Sequence, residues 1–333
     1  MAKRKVAPTP EGVTEAMVVI EKTLGKGVVF RPSDGQDRSV SILPTGIACL
    51  DEALGAGGLP WGRVIEIMGP ESGGKTTLAL HFAAAAQKAD PRYIAFVDAE
   101  HALDLDYAAK IGVDMDRALI SQPDCGEDAL EAVDILARSG GVSMIIVDSV
   151  AALTPRAELE GQMGDSHVGL QARMMGQALR KLTALVHANG VLVVFINQLR
   201  MKIGVRFGSP VTTTGGNALK FYASVRLDVR RISSDEVGGV AVSNRTLVKI
   251  TKNKIAPPFR KCEFDIVFGL GVDTTGDALD TAVVAGTVVK RGSWYWFKGE
   301  RLANGRQAML TLLREDDELA QSVKDATASE DGK

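Results

Sequence analysis

Short, almost continuous apolar runs alternate with longer helical stretches between residues 40 and about 270. The runs at 64–68, 93–97, 144–147 and 191–196 are typical of strands that are buried on both faces. The pattern therefore predicts an α/β fold with a mostly parallel sheet and helices on both faces. Ligands bind such sheets at the carboxyl ends of the strands, so the residues that follow these runs are the candidates for chemistry.

The pattern changes at the N-terminal end. Val13, Met17, Ile20 and Leu24 recur at spacings of four, three and four, which predicts an amphipathic helix over 11–24. The polar stretch at 31–38 is typical of a linker. On this pattern alone, a helix packed on its own domain and a helix that needs another partner both remain open.

The C-terminal end predicts a small second domain. The stretches at 280–284 and 307–313 read as helical, and 293–297 reads as a strand whose aromatic residues belong to a core. We therefore expect three parts: an N-terminal helix and linker at 1–38, a core at 39–272, and a small α/β domain with an acidic tail at 273–333.

The apolar run at 64–68 is followed by Gly-Pro-Glu-Ser-Gly-Gly-Lys-Thr at 69–76 and then by a helix-forming stretch. This order and spacing are those of a phosphate-binding loop, although a glycine-rich turn is the alternative for the bare motif. Glycines let backbone N–H groups converge on phosphate oxygens, the lysine neutralises charge, and the last hydroxyl can ligate Mg²⁺. We expect a nucleoside triphosphate to contact Gly69, Pro70, Glu71, Ser72, Gly73, Gly74, Lys75, Thr76 and Thr77.

Three further polar residues follow predicted strands. Asp148 is placed to hold Mg²⁺ beside Thr76, and Glu100 is placed to take a proton from the water that attacks the terminal phosphate. Gln198 is placed to hydrogen-bond that phosphate. The alternatives are a strand-end turn for Asp148 and a surface carboxylate for Glu100.

The segment at 199–216 combines arginine and lysine with four glycines and three consecutive threonines. A long loop without its own structure inside a compact domain is usually functional or disordered, and this composition suits contacts with a phosphate backbone. We predict a nucleic-acid-binding loop without regular structure. A solvated linker is the alternative.

The composition argues against several classes of protein and of site. No apolar run approaches the roughly 20 residues needed to span a bilayer, so we expect a cytoplasmic protein without a membrane partner. The three cysteines are widely spaced, which favours small buried side chains over a disulfide framework or a zinc site. The net charge of −2 argues against a uniformly basic surface but leaves local basic patches possible.

Several sequence blocks occur together here. They are Gly-Pro-Glu-Ser-Gly-Gly-Lys-Thr at 69–76, Asp-Ala-Glu-His-Ala-Leu-Asp at 98–104, Val-Asp-Ser-Val-Ala-Ala-Leu-Thr-Pro at 147–155, Gly-Asp-Ser-His at 164–167 and Thr-Thr-Thr-Gly-Gly-Asn-Ala-Leu-Lys at 212–220. With these blocks the chain resembles the bacterial RecA recombinase family from about residue 11 to about residue 315.

The resemblance implies a DNA-dependent ATPase that uses ATP and Mg²⁺. It implies a RecA-like core whose copies form a helical filament on single-stranded DNA, pair it with homologous duplex and exchange strands. It also implies that the filament promotes self-cleavage of the SOS repressor, which would then be a partner alongside both forms of DNA.

The resemblance also implies roles for individual residues. Asp104 and Tyr107 would meet the adenine, and Ser149 would join Asp148 in the metal shell. Lys252 and Lys254 resemble a pair that reaches across a subunit interface to a neighbour's ATP, where cations spread phosphoryl charge. Lys220 and Arg226 are weaker candidates for that interface, and the N-terminal helix would pack on a neighbouring subunit near Phe221.

Two loops would contact DNA by the same resemblance, one at 158–169 and one at 199–214. The candidate DNA-binding residues are Val168, Gly169, Arg173, Arg200, Met201, Lys202, Ile203, Gly204, Arg206, Thr212, Thr213, Gly215 and Gly216. In the C-terminal domain, duplex DNA would meet Lys290, Arg291, Arg301 and Arg306.

A few positions depart from the family pattern. Leu105-Asp106 stands where an aspartate-proline turn is common, Phe268 where a tyrosine is expected, Arg206 where methionine is usual, and Val211 where glutamate is usual. We expect Val211 to alter the coupling between ATP and the second loop, and equal coupling after glutamate is restored would contradict that expectation.

Two other functions share many of these features. A ring-forming helicase or motor ATPase has a similar core, but is expected to show an arginine finger where this chain offers Lys252 and Lys254. A non-catalytic filament scaffold would bind ATP and DNA only to present a surface for repressor cleavage.

Overall fold

The structure is a computed structural model that describes residues 10–31, 40–162, 164–201 and 211–330. The chain divides into two compact units, Met1–Val40 and Ser41–Lys333. The predicted linker at 31–38 lies outside the described residues except for Arg31. Among the described helices, none is long and apolar enough to cross a membrane.

The first unit contains the predicted N-terminal helix, α1 (Pro10–Leu24). Gly25 ends it, with a φ of 105° and its N–H donated to the carbonyl of Glu21. The apolar side chains of Val13, Val18, Val19 and Leu24 are each at least half exposed. The predicted helix is confirmed, and it presents apolar residues to solvent.

The first half of the second unit alternates strands and helices. Its elements are β1 (Ile42–Leu43), α2 (Ala48–Leu54), β2 (Leu59–Pro60), β3 (Val64–Gly69), α3 (Lys75–Ala89), β4 (Tyr93–Asp98), α4 (Leu105–Ile111), β5 (Ala118–Ser121), α5 (Gly126–Arg138), β6 (Val142–Asp148), α6 (Arg156–Leu159), α7 (Leu170–Asn189) and β7 (Leu192–Met201).

The second half adds a group of longer strands and a C-terminal α/β part. Its elements are β8 (Val211–Thr213), α8 (Ala218–Tyr222), β9 (Val225–Val237), β10 (Val240–Asn253), β11 (Lys261–Val267), β12 (Gly271–Val272), α9 (Thr274–Ala285), β13 (Val288–Arg291), β14 (Trp294–Phe297), β15 (Glu300–Asn304), α10 (Arg306–Glu315) and α11 (Asp317–Glu330).

The central sheet has the strand order β12-β11-β10-β9-β3-β7-β6-β4-β5. The six strands from β9 to β5 in that order are parallel, while β10, β11 and β12 pair antiparallel. One buried apolar cluster packs α2 and α3 on one face of the sheet, and a second packs α5 and α7 on the other. The predicted α/β fold, with a mostly parallel sheet covered on both faces, is confirmed.

One prediction about this sheet was wrong. The segment at 199–216 was expected to have no regular structure, but β7 continues to Met201 and pairs antiparallel with β8. Arg200 lies opposite Thr212, so the segment begins and ends in a two-stranded stem. Threonine has a high strand propensity, and the partner strand lies about ten residues away in the sequence, which apolar periodicity does not reveal.

The C-terminal part has its own three-stranded antiparallel sheet, β13-β14-β15, packed with α9, α10 and α11. The predicted helices and the predicted strand are present, whereas β13, β15 and α11 were not predicted. Tyr295 and Phe297 are buried, while Trp294 and Trp296 lie on the other face of β14 and are half-buried. Only half of the aromatic residues therefore form the core.

A buried carboxylate joins this part to the core. Asp277 on α9 accepts hydrogen bonds at 3.3 and 3.4 Å from the backbone N–H of Cys49, in the first turn of α2. The residue before α2 is Ile47, which has no side-chain acceptor of its own. Asp277 thus supplies from another helix the acceptor that an N-cap side chain usually supplies.

Candidate nucleotide and DNA site

The phosphate loop is shaped by close backbone contacts. It runs from Gly69 at the end of β3 to Lys75 at the start of α3. A Cβ atom on Gly69 would lie 2.1 Å from the carbonyl oxygen of Val229, and one on Gly74, where φ is 91°, would lie 2.4 Å from the Ile266 side chain. No side chain caps α3, so the N–H groups of its first turn are left for an anion.

Lys75, Thr76 and Asp148 converge beside this loop. Lys75 Nζ donates to the carbonyl oxygen of Pro70 at 2.6 Å, and Thr76 Oγ1 donates to Asp148 Oδ2 at 2.7 Å. Burial lowers the pKa of Lys75, and nearby carboxylates, first that of Asp148, act in the opposite sense. Burial raises the pKa of Asp148 to about 6, although the Thr76 hydrogen bond opposes this.

Glu100 is exposed beyond the tip of β4. Its Oε1 accepts hydrogen bonds from Ser149 Oγ and, at 3.3 Å, from Gln198 Nε2. Asp98, which is 3% exposed, accepts hydrogen bonds from the backbone of Ala102 and thereby holds the loop that carries Glu100. The structure therefore brings three predicted residues together and gives Asp98 a structural position beneath them.

The two residues expected near the adenine lie at the start of α4. Asp104 caps this helix, because its Oδ1 accepts a hydrogen bond from the N–H of Tyr107 at 2.9 Å. The Tyr107 hydroxyl lies 3.1 Å from Thr77 Oγ1 in the first turn of α3. Leu105 and Asp106, which stand where the family pattern commonly has an aspartate-proline turn, are the first two residues of α4.

Lys252 and Lys254 reach the same backbone oxygen. Lys252 Nζ donates to the carbonyl of Phe221 at 2.9 Å, and Lys254 Nζ donates to it at 3.4 Å. Phe221 itself is 72% exposed. Arg226 behaves differently, since its side chain is 13% exposed and forms an ion pair with the buried Glu66. That position does not fit a side chain that reaches across an interface.

The first group of candidate DNA residues lies at the N-terminus of α7. Gly169 precedes this helix with a φ of 76°, Val168 is 82% exposed, and Arg173 is exposed within the first turn. An apolar side chain and a cation therefore stand on one solvent-facing end of a 20-residue helix.

The second group lies at the stem formed by β7 and β8. Arg200 is exposed on β7, Thr212 is half-buried opposite it, and Thr213 is buried. Lys202, Ile203, Gly204 and Arg206 lie outside the described residues, and only the backbone of Met201 is described.

The stem is joined to α7 by two glycines. The N–H of Gly215 donates to Gln171 Oε1 at 3.1 Å, and a Cβ atom on Gly216 would lie 2.6 Å from that of Ala172. Both glycines have a φ of 74°. The hydrogen bond of Gly215 and the close packing of Gly216 therefore hold the β7–β8 stem against the first turn of α7, which carries the first group of candidate DNA residues.

Sequence reasoning missed a buried polar cluster beneath these sites. Glu66 is fully buried, and it accepts hydrogen bonds from Asn197 Nδ2 at 2.8 Å and from Arg226 Nε at 2.5 Å. A glutamate in the middle of the apolar run at 64–68 was the available signal, because buried charges need partners.

The strand, glycine loop and helix around Lys75 and Thr76, with Asp148 at the tip of another strand of the same sheet, define a P-loop ATPase. Comparison with known proteins narrows this class. The RecA N-terminal domain matches residues 11–273, and the RecA C-terminal domain matches residues 276–330. The chain belongs to the RecA family.

Relatives from several bacteria are similar over most of their length. Protein RecA of Mycobacterium avium (strain 104) is 57% identical over 319 residues, which cover 96% of this chain and 91% of the relative. Protein RecA of Frankia alni is 57% identical over 314 residues, covering 94% and 90%. Protein RecA of Streptomyces ambofaciens is 56% identical over 309 residues, covering 93% and 83%.

Membership in this family establishes the activity. The chain is a DNA-dependent ATPase and a recombinase that forms filaments on single-stranded DNA. It pairs that strand with homologous duplex and catalyses strand exchange in recombinational DNA repair, and it promotes self-cleavage of the SOS repressor. The predicted family and function are confirmed, and RecA proteins use ATP for this work.

Proposed function

We propose that the loop at 69–76 and the first turn of α3 bind the phosphates of ATP. The residues of 69–77 other than Pro70 supply backbone N–H groups, and Lys75 adds its ammonium group. Thr76 and Asp148 hold Mg²⁺, and Ser149 supports that shell. The observation that carries this proposal is the 2.7 Å contact between Thr76 Oγ1 and Asp148 Oδ2 beside the buried Lys75. Mg²⁺ suits such a site because it usually takes one or two protein oxygens and completes its shell with phosphate and water.

Glu100 and Gln198 act on the terminal phosphate in this proposal. Mg²⁺, when bound, neutralises charge on the phosphate oxygens. Glu100 accepts a proton from the attacking water, and Ser149 and Gln198 orient its carboxylate by donating to Oε1. Gln198 contacts the terminal phosphate from the base of the β7–β8 stem, so that the stem responds to whether the phosphate is present.

Tyr107 and Asp104 receive the adenine at the other end of the nucleotide. The support is the position of the Tyr107 ring, which its hydroxyl fixes beside the first turn of α3. Asp104 caps α4 through one carboxylate oxygen, and its other oxygen can accept from the exocyclic amine.

Lys252 and Lys254 complete the site of an adjacent protomer. Their ammonium groups meet at the Phe221 carbonyl, next to an exposed aromatic side chain that the neighbouring chain's N-terminal helix covers in this proposal. Two cations so placed spread the charge that builds on the transferring phosphoryl oxygens. The site is therefore formed at a junction between copies of the chain.

Single-stranded DNA lies along the N-terminus of α7 and the β7–β8 stem. The exposed Val168 and Arg173, with Gly169, face it from α7, and Arg200, Thr212, Thr213, Gly215 and Gly216 form the second wall. Met201, Lys202, Ile203, Gly204 and Arg206 belong to the same proposed contact. Such binding rests on phosphate contacts and tolerates any base sequence.

Homologous duplex DNA meets the C-terminal part. The support is its outer face, where the Arg301 guanidinium lies 4.3 Å from the centre of the Trp294 ring and that of Arg291 lies 5.6 Å from the centre of the Trp296 ring. Lys290 lies on the neighbouring strand, whereas Arg306 is held in an ion pair with Asp280. The SOS repressor is a further direct partner, and the proposed location is the cytoplasm, where a bacterium keeps its DNA.

Glu100→Gln tests the catalytic part of this proposal. The variant should bind ATP and single-stranded DNA normally and lose roughly 10²- to 10⁴-fold in turnover, because the amide accepts no proton at neutral pH. ATP hydrolysis with and without single-stranded DNA is the measurement, and the exposed Glu315→Gln is the control. Preserved turnover in Glu100→Gln would exclude Glu100 as the base.

A further inference from the structure

Glu66 brings a carboxylate into the middle of the central sheet. It lies on β3, three residues before Gly69, and in register it faces Phe195 of β7 on one side and Arg226 of β9 on the other. Its side chain is 0% exposed. A buried carboxylate is unfavourable unless it is paired and hydrogen-bonded, so its two partners are required for it to be there.

The carboxylate anchors one side of the Asn197 amide. A carboxylate accepts hydrogen bonds and does not donate them, so the NH₂ group of Asn197 faces Glu66, and the same Nδ2 also donates to the carbonyl oxygen of Thr214 at 3.2 Å. Asn197 Oδ1 accepts from the N–H of Gln198 at 2.9 Å and from Thr214 Oγ1 at 2.5 Å. The two residues at the base of the β7–β8 stem therefore share one anchor.

The other carboxylate oxygen holds Arg226, at 2.5 Å from Nε. Arg226 pairs in register with Lys252 of β10, and its carbonyl oxygen accepts a hydrogen bond from Thr251 at 3.2 Å. One buried side chain therefore touches both the strand that carries Gln198 and the strand beside the lysine pair.

We propose that Glu66 is a positioning residue that couples single-stranded DNA binding to ATP hydrolysis. With its charge present, Glu66 holds the Asn197 amide through a charge-assisted hydrogen bond, and Gln198 and Thr214 move together through Asn197. An uncharged amide in place of Glu66 gives a weaker hydrogen bond to Asn197 and no ion pair with Arg226, so Asn197 holds Gln198 and Thr214 together less firmly. This inference rests on the proposed role of Gln198 at the terminal phosphate.

Glu66→Gln in the full chain tests the inference. The quantity to measure is the ratio of ATP turnover with poly(dT) to turnover without it, together with ADP affinity by calorimetry. We expect the ratio to fall about tenfold, within the range by which residues that contact neither ligand alter coupling between two sites. ADP affinity should change less than twofold, because Glu66 touches no residue of the phosphate loop in the described hydrogen bonds.

A matched control separates coupling from general damage. Asp90→Asn breaks the partly buried Asp90–Arg92 ion pair, 2.8 Å long, which precedes β4 at the end of the sheet away from the loop. It should leave the ratio unchanged. Equal losses of ratio and thermal stability in Glu66→Gln and Asp90→Asn would reduce Glu66 to a structural role and overturn the inference.

Thr214→Val approaches the same link from the other side and keeps the ion pair intact. It removes only the hydroxyl that donates to Asn197, so it provides a folded variant if Glu66→Gln does not fold. We expect a lower ratio here too, and an unchanged ratio would overturn the inference. If the wild-type chain binds ATP and poly(dT) yet Gln198→Ala leaves the ratio intact, the proposed role of Gln198 is what fails.

Discussion

At the scale of single residues, the nucleotide site depends on how closely the phosphate loop lies against β9. The Val229 carbonyl leaves no room for a Cβ atom on Gly69, and Gly74 combines a positive φ with a contact to Ile266. These two glycines set where Lys75 and Thr76 begin α3. A small displacement here moves every phosphate ligand that follows.

Gly69→Ala should therefore damage both stability and turnover. The added methyl group meets a backbone oxygen at 2.1 Å, so we expect a loss of about 1–3 kcal/mol in unfolding free energy from overpacking. ATP turnover should fall roughly a hundredfold, the usual result of a 1 Å misplacement. In Gly176→Ala, which meets nothing within 4 Å inside α7, we expect a gain of about 0.5–1 kcal/mol and normal turnover.

His81 gives a residue-scale prediction about pH. Burial lowers its pKa to about 4, with a smaller contribution from Lys88, and its Nε2 accepts a hydrogen bond from the N–H of Val272 at 2.8 Å. The unfolded chain takes up a proton on this residue near pH 6.5, whereas the native chain does not. Unfolding free energy should therefore fall as pH drops from about 7 to about 4, by on the order of 3 kcal/mol from this residue.

His81→Gln checks this by chemical unfolding at about pH 7.0, 6.0 and 5.0, in one-unit steps across the titration. Glutamine keeps an acceptor for the Val272 N–H and carries no titrating proton. The variant should lose less stability than the wild type as pH falls. Parallel pH profiles for the two proteins would contradict the assignment.

At the scale of elements, two connections decide how the parts work together. The β7–β8 stem ties the candidate DNA loop to the strand of Gln198, and Gly215 ties it to α7. Asp277 ties α9 to the first turn of α2. The contacts of Gly215 and of Asp277 join residues that lie far apart in the sequence, and both use polar groups in partly buried positions.

Asp277→Ala should loosen the connection between α9 and α2. The substitution removes the oxygens that accept from the N–H of Cys49, so a partly buried donor is left unpaired and we expect a destabilisation of about 1–3 kcal/mol. Asp280→Ala is the matched control, since its ion pair with Arg306 is exposed and should contribute less than about 1 kcal/mol. Equal midpoints of chemical unfolding for the two variants would refute the cap.

The sequence predicted the elements that have strong local signals. Apolar runs located β3, β4 and β6, and the glycine spacing located the phosphate loop. Pairing between strands left no such signal: β7 extends past Gln198 because β8 pairs with it, and β13 and β15 form because β14 lies between them. For the same reason the sequence does not show that partners on β7 and β9 surround Glu66.

At the scale of the whole molecule, the proposed nucleotide site is incomplete in one chain. Glu100, Lys75 and Asp148 lie at one place, while Lys252 and Lys254 lie at the Phe221 carbonyl. A head-to-tail assembly places one set against the other and repeats without closing, which gives a filament. Hydrolysis is then a property of the junction between two copies.

Mixing two inactive variants tests this junction most directly. Glu100→Gln chains keep the lysines, and Lys252→Ala/Lys254→Ala chains keep the base. If the lysines act on a neighbour in a head-to-tail filament, about one quarter of the junctions in a random equal mixture combine an intact base with intact lysines. Such a mixture on single-stranded DNA should therefore regain about one quarter of wild-type ATP turnover. If the lysines act within their own chain, no junction in the mixture is complete. A mixture as inactive as its components, with filaments formed normally, would contradict the account.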